Sequence, residues 1–349
     1  MKKLIDKLEK TRNLSDKEFL TLLSNPTDPY LFERADAVRK KYYSNKIYIR
    51  GLIEISNYCK NNCLYCGIRR DNKNAKRYRL SKSEILKCCH AGYNLGFRTF
   101  VMQSGEDSHL TDEFLVDLIS EIKSQFPDVA VTLSLGERSF KSFKNLYDAG
   151  ADRYLLRHEA AEERLYSSLH PKDMSLNARM ECLFNLKKIG YQTGSGFMVA
   201  APGQSLFDII KDIRFLQKLD PEMIGIGPYI PHKDTPLNGN PTGNVELTLK
   251  LISIFRLLFP SVLLPATTAL STLSSDARFR AIKAGANVIM PNLSPSSVRD
   301  LYSLYDNKLS SGNEAAEEIE NLKKEVRKNG YEIVTDRGDY LPVSDNLSL

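Results

Sequence analysis

The chain of 349 residues has no apolar run approaching the roughly 20 residues needed to span a bilayer, so no membrane helix is expected. No apolar core follows the basic start Met1-Lys2-Lys3-Leu4-Ile5-Asp6-Lys7, so no secretory signal is expected either. Leu4, Leu8 and Leu14 recur near helical spacing and predict an amphipathic helix there. Cysteine is scarce: six in a chain of this length do not make a secreted disulfide scaffold. Neither sign of charge dominates. The 49 Lys and Arg against 43 Asp and Glu leave +6, a thin excess that argues weakly for an acidic protein partner and poorly for nucleic acid. Repeats of fixed period and low-complexity segments are absent, and 42% apolar with 26% charged residues excludes disorder. The expectation is a folded cytoplasmic protein that engages neither membrane nor nucleic acid.

What is present is an alternation. After a charged helical stretch at 1–46, strand and helix signals alternate to about residue 292. Short β-branched or apolar runs predict strands at 47–55, 97–102, 129–135, 153–156, 192–199, 223–226, 262–264 and 286–290. Helices are predicted at 81–95, opened by a Ser81–Glu84 capping box, and at 111–124, 139–148, 159–167, 176–189, 206–218, 247–258 and 274–284. A prior of about 150 residues per domain would divide the chain in two, but no linker interrupts its middle. Eight strand–helix units predict an α/β fold, a complete (β/α)8 TIM barrel over 47–300, with an open doubly wound sheet as the alternative. Helical extensions flank it at 1–46 and 301–349; the latter is polar, with a helix near 314–328.

The sharpest local signal follows the first strand: Cys59-Lys60-Asn61-Asn62-Cys63-Leu64-Tyr65-Cys66-Gly67. Three thiols so spaced in an irregular loop can wrap one corner of an iron–sulfur cube in a reducing cytosol. Soft thiolates also suit zinc, but structural zinc takes a closed set of four ligands, and no fourth Cys or His stands at finger spacing. The next His is His90; Cys88, Cys89 and Cys182 fall on predicted helices and read as packing residues. Three ligands for four irons leave one iron open, a place to bind and activate something. The loop also follows a barrel strand, where such folds keep their chemistry. An electron carrier with one cluster normally takes four thiolates, so that reading is poor.

The other strand ends are polar. Gln103-Ser104-Gly105-Glu106-Asp107 follows the second strand, Thr132, Ser134 and Glu137 stand at the third, and Arg157-His158-Glu159 follows the fourth. Met198 ends the fifth; Gly227-Pro228-Tyr229-Ile230-Pro231-His232 follows the sixth, Pro265-Ala266-Thr267-Thr268 the seventh, and Met290-Pro291-Asn292 the eighth. Read alone, Arg179 suits a solvated helix face and Glu159 a helix start favoured by the dipole. His232 reads as structural, and Thr267 and Thr268 as turn formers or partners of a polar ligand.

The cysteine spacing, with an aromatic residue before the last Cys, resembles the radical S-adenosylmethionine (SAM) superfamily. That resemblance implies one 4Fe-4S cluster on Cys59, Cys63 and Cys66, whose open iron chelates SAM, and reductive cleavage of SAM to a 5′-deoxyadenosyl radical. Residues 103–107 are similar to the superfamily's Gly-Gly-Glu motif, which holds the SAM amino group: Ser104 replaces the first Gly, and Gly105 and Glu106 follow it. Glu159 and Arg179 are assigned to the amino-acid and ribose end of SAM, Arg for its two-pronged match to a carboxylate. Tyr65 and Met198 complete the cofactor set.

More narrowly, Ser56-Asn57-Tyr58-Cys59, Cys66-Gly67-Ile68-Arg69-Arg70-Asp71-Asn72-Lys73 and Arg77-Tyr78-Arg79 are similar to the HydE family, radical SAM maturases of FeFe hydrogenase. So are residues 103–107, 132–137, 153–159, 225–231, 265–269 and 287–295, within a similarity running from about 47 to 305. It implies a role in assembling the H-cluster's two-iron subcluster, on a small anionic iron complex carrying CO, cyanide and cysteine, or on a cysteine-derived thiol. Thr132, Ser134, Arg157, Thr267 and Thr268 would hold the anionic part with Met290 nearby, and Tyr302 and Tyr305 would close the mouth from the C-terminal segment. Implied partners are an acidic reductant such as ferredoxin or flavodoxin and the other hydrogenase maturases. No Cys follows Cys182, so the auxiliary cluster of some relatives is not expected, and biotin-synthase-type sulfur insertion, which needs one, is disfavoured. Methylornithine synthase, which rearranges lysine on the same barrel, is the alternative.

Overall fold

The computed structural model describes residues 1–342. Three helices come first: α1 (Lys2–Thr11), α2 (Asp16–Ser24) and α3 (Pro29–Tyr43). Ser15 and Glu18 form a capping box on α2, while Asp28 caps α3 and Pro29 takes its first position. Their apolar faces, among them Ile5, Leu8, Phe19 and Leu31, are buried in a shared core with later helices.

The predicted first strand divides at Arg50 into β1 (Lys46–Ile49) and β2 (Gly51–Ser56). Then α4 (Lys82–Asn94) leads to β3 (Thr99–Ser104), α5 (Asp112–Gln125) to β4 (Ala130–Ser134), and α6 (Phe140–Asp148) to β5 (Arg153–Leu155). The pair α7 (Glu163–Leu169) and α8 (Leu176–Ile189) leads to β6 (Gln192–Ser195) and β7 (Met198–Val199), and α9 (Leu206–Leu219) to β8 (Met223–Ile224) and β9 (Gly227–Pro228). After α10 (Val245–Leu258), α11 (Thr268–Leu273) and α12 (Ala277–Lys283) come β10 (Val288–Ile289), α13 (Ser296–Arg299), α14 (Ile319–Lys328) and β11 (Glu332–Val334).

A parallel sheet runs β2-β3-β4-β5-β6-β8, with β10-β1-β11 and β7-β9 as two smaller parallel sheets. Single bridges Met223–Leu263, Pro265–Val288 and Leu52–Asn292 continue the order from β8 back to β2. Parallel strands covered by helices are buried on both faces, and β2 is buried along its whole length.

Several predicted bounds moved, each for a local reason. The fifth strand breaks into β6 and β7 where Gly196 meets the opposite backbone; a Cβ there would lie 2.0 Å from the Gly225 oxygen. The sixth breaks beside it, and the seventh survives only as the bridges of Leu263 and Pro265. The helix predicted from 159 starts at Glu163, because Glu159 takes a left-handed φ of +64°. The helix predicted at 274–284 is α12 alone, preceded by the unpredicted α11. The C-terminal helix starts at Ile319 after two 3-10 turns, and β11, also unpredicted, pairs with β1. Residues beyond β11 cover the end of the sheet away from the cysteine loop. There Arg153, fully buried, donates to the Arg337 oxygen (2.9 Å) and to Asp339 Oδ1 (2.5 Å).

Candidate active site

The cysteine loop leaves β2 with no regular element to satisfy its backbone, so side chains do so. Arg77 donates to four carbonyls, those of Asn57 (2.5 Å), Ile68 (2.8 Å), Arg69 (2.6 Å) and Asn72 (3.2 Å). Asn57 Nδ2 ties the loop to the Lys76 and Leu301 oxygens, both at 2.8 Å, and the Gly67 N–H donates to the Leu304 oxygen (2.8 Å). At the base, Asp107 accepts from Ser56 Oγ (2.6 Å) and from both prongs of Arg79 (2.6 and 3.0 Å). The segment after β3 lies directly against the loop: a Cβ at Gly105 would stand 2.3 Å from the Tyr58 oxygen and 2.7 Å from Cys59 Cβ, so only glycine fits. The Glu106 N–H points at Cys59 Sγ from 3.4 Å.

Burial pushes all three thiols up, Cys66 to about 12; Cys63 and Cys66 are raised further by facing other cysteines of the trio. Among the described residues no three His, Cys, Asp or Glu side chains gather closely enough to hold a single metal ion.

Beside the loop lies a chain of charges. Lys60 Nζ is 3.3 Å from Glu106 Oε2, Arg179 Nη1 3.8 Å from Glu106 Oε1, and Arg179 Nε 3.1 Å from Glu137 Oε1. Glu106 Oε1 also accepts from the Glu137 N–H at 3.0 Å. Arg179 is buried, so it does not stand on a solvated helix face. Burial raises the Glu137 carboxyl, against the pull of Arg179. Arg157 Nη2 and Glu159 Oε2 stand 3.2 Å apart but are not aligned as a hydrogen bond. Met198 shares an apolar group with Tyr166 and Tyr229, against which Tyr65 packs. Ser104 Oγ donates to the Gly105 oxygen at 2.6 Å.

Of the remaining predicted residues, Thr132 Oγ1 and Thr267 Oγ1 are buried without a hydrogen-bond partner, and Ser134 ends β4 half-buried. Thr268 Oγ1 donates to Glu314 Oε2 at 2.9 Å, which leaves it only as an acceptor. Met290 packs against the group of Tyr43, Tyr48 and Met223, toward the strand starts and away from the cysteine end. Tyr302 is fully buried with its hydroxyl 3.4 Å from Gln103 Nε2, and burial raises both its phenol and that of Tyr305. Sequence reasoning missed Tyr166 and His170, whose rings stack at 4.0 Å, with His170 Nε2 3.4 Å from Tyr65 OH. No motif marks them; only the fold brings them to Tyr65.

The chain is similar to known proteins over most of its length. The model of the radical SAM superfamily matches residues 53–216. The chain is 45% identical over 311 residues, 88% of each chain, to the FeFe hydrogenase maturase subunit HydE of Thermotoga maritima. It is 28% identical over 324 residues, 91% of this chain and 90% of the other, to 3-methylornithine synthase of Methanosarcina acetivorans. Among solved structures it is similar to methylornithine synthase (PylB), with a TM-score of 0.84, 27% identity and coverage of 95% of this chain and 97% of that one. The chain belongs to the HydE family of radical SAM enzymes.

Membership implies a 4Fe-4S cluster and SAM, and the residues present fit both. The three thiols lie near enough to raise one another, and the Glu159 Oε2 carboxylate oxygen is buried without a hydrogen bond, facing only Arg157 Nη2, so it can take the ammonium group of SAM. Such an atom left alone costs about 1–3 kcal/mol. No helix among the described residues is long and apolar enough to cross a membrane.

Proposed function

We propose that this chain is a cytoplasmic maturase acting in assembly of the two-iron subcluster of FeFe hydrogenase, on a small anionic complex of iron, CO, cyanide and cysteine. In this reading residues 47–300 form a closed (β/α)8 barrel, with a helical extension at 1–46 and a C-terminal segment from 301 that carries α14 and β11 and covers the mouth through Tyr302 and Tyr305; residues 343–349 of the expected extension lie outside the described residues. The run of bridges from Met223 to Leu52 supports closure. Cys59, Cys63 and Cys66 hold a single 4Fe-4S cluster, and no Cys after Cys182 is available for another. Ser104, Gly105, Glu106, Glu159 and Arg179 hold SAM, with Tyr65 and Met198 against it. When bound, cluster and SAM would supply a 5′-deoxyadenosyl radical for chemistry at the substrate's sulfur.

The rest is the work of the chain. Arg157, Thr132, Ser134 and Thr267 bind the anion, Thr268 fixes the start of α11 through Glu314, and Met290 lies deeper. An acidic reductant such as ferredoxin or flavodoxin and the other hydrogenase maturases are its protein partners. The observation that supports the substrate class is Arg157: its Nε is buried without a hydrogen-bond partner, as are the hydroxyls of Thr132 and Thr267, while its Nη2 faces Glu159 Oε2 at 3.2 Å. With Glu159 given to SAM, that guanidinium would favour an anion over a substrate with two ammonium ends, such as lysine. Likeness to methylornithine synthase keeps lysine rearrangement as the second reading. The test supplies reconstituted, reduced protein and SAM with either a synthetic iron–CO–cyanide–cysteine complex or lysine. An adenosylated sulfur product from the complex is expected; methylornithine from lysine would transfer the chain to the second reading.

A further inference from the structure

We propose that His158 and Asp212 are positioning residues that fix the Glu159 carboxylate toward SAM; this rests on the assignment of Glu159 above. Glu159 lies at φ +64°, a conformation that residues other than glycine keep only where their surroundings impose it. Three elements impose it here. The Glu159 N–H donates to the Gly196 oxygen at 3.1 Å, and the Ala161 N–H donates to Asp212 Oδ1, on α9, at 2.6 Å. His158 spans the layer behind the turn: Nε2 is 3.2 Å from Asp212 Oδ1 and Nδ1 2.9 Å from Ser195 Oγ at the end of β6. Ser195 Oγ in turn donates to the Leu156 oxygen at 3.1 Å. Both flanks of the turn, Leu156 and Ala161, are therefore tied to one imidazole–carboxylate pair.

Ser195, His158 and Asp212 in a row also match the machinery of a nucleophilic hydrolase. All three are fully buried, and Phe197 and Phe215 flank the imidazole at centroid distances of 5.7 and 4.8 Å, so no substrate reaches the hydroxyl. The group holds; it does not react. Burying a carboxylate and an imidazole is costly compared with an apolar pair of the same size. What it gains is direction, because Arg157 and Glu159 leave the same turn on either side of the anchored His158.

The test is SAM binding to the cluster-loaded protein by equilibrium dialysis without reductant, with thermal unfolding alongside. Asp212→Ala is expected to retain its iron and fold but bind SAM about tenfold more weakly, and Asp212→Asn, which keeps an acceptor for the Ala161 N–H, to recover most of that loss. In a Glu159→Gln background Asp212→Ala adds no further loss, since both act through one carboxylate. Should Asp212→Ala fail to fold, His158→Gln gives the same reading, with a several-fold loss that vanishes in the Glu159→Gln background. Unchanged SAM affinity in either variant, or losses that multiply with Glu159→Gln, overturns the positioning role. Unchanged affinity in Glu159→Gln alone overturns the assignment of Glu159 to SAM and separates that failure from this one.

Discussion

His170 shows how a residue invisible to motif reading shapes the site. Its ring is buried against Tyr166, and Nδ1 is 2.9 Å from the Tyr166 oxygen. Burial, only partly offset by that bond, pushes its pKa down to about 3, so it is neutral in the folded protein. The unfolded chain takes up the proton near the ordinary 6.5, so the folded state loses stability as pH falls below that value, until the folded pKa is reached. Between pH 7 and 5 the loss amounts to about 2 kcal/mol. Denaturant unfolding of wild type and His170→Asn at both pH values checks it: the variant is expected to lose less on acidification, and equal losses would place the linkage elsewhere. At this scale the cysteines were legible because their spacing is local. Tyr166 and His170 were not, because their meaning comes from Tyr65, about a hundred residues away in sequence. The tie from the Thr268 hydroxyl to Glu314 was not legible for the same reason.

Among the elements, those with end signals in the chain were read closely. The Ser81–Glu84 capping box opens its helix where the sequence put it, the side chains satisfying free backbone N–H groups; like boxes at Ser15 and Ser205 emerge only in the structure. Elements set by distant contacts were read poorly: Gly196 against Gly225 breaks two strands, and β11 exists only because β1 offers it an edge. The cysteine loop is the extreme case, an element whose shape is one guanidinium spread over four carbonyls. Arg77→Lys keeps the charge but cannot serve four acceptors, so the loop should slacken and iron retention fall. Iron and sulfide assays after reconstitution and gel filtration are expected to give less than half the wild-type content, with SAM cleavage reduced in proportion; full retention would mean that the thiols alone order the loop.

For the molecule as a whole, the alternation of strand and helix was enough to predict a parallel α/β fold, because that rhythm leaves few ways to bury both faces of a sheet. The polar strand ends pointed to one working face, and the structure places the cysteine loop, the segment after β3 and the 157–159 turn there, with residues 301–308 clipped over them through Leu304 and the Lys308–Glu54 pair at 2.6 Å. The proposed anion site rests on Arg157, and the reaction in the cell is what names the product. The most direct measurement is hydrogen evolution by a strain whose own HydE has been deleted and which expresses this chain. Restored hydrogenase activity, lost again with Cys66→Ala, is the predicted result. Absence of rescue by a protein that is folded, cluster-loaded and able to convert lysine to methylornithine would contradict it.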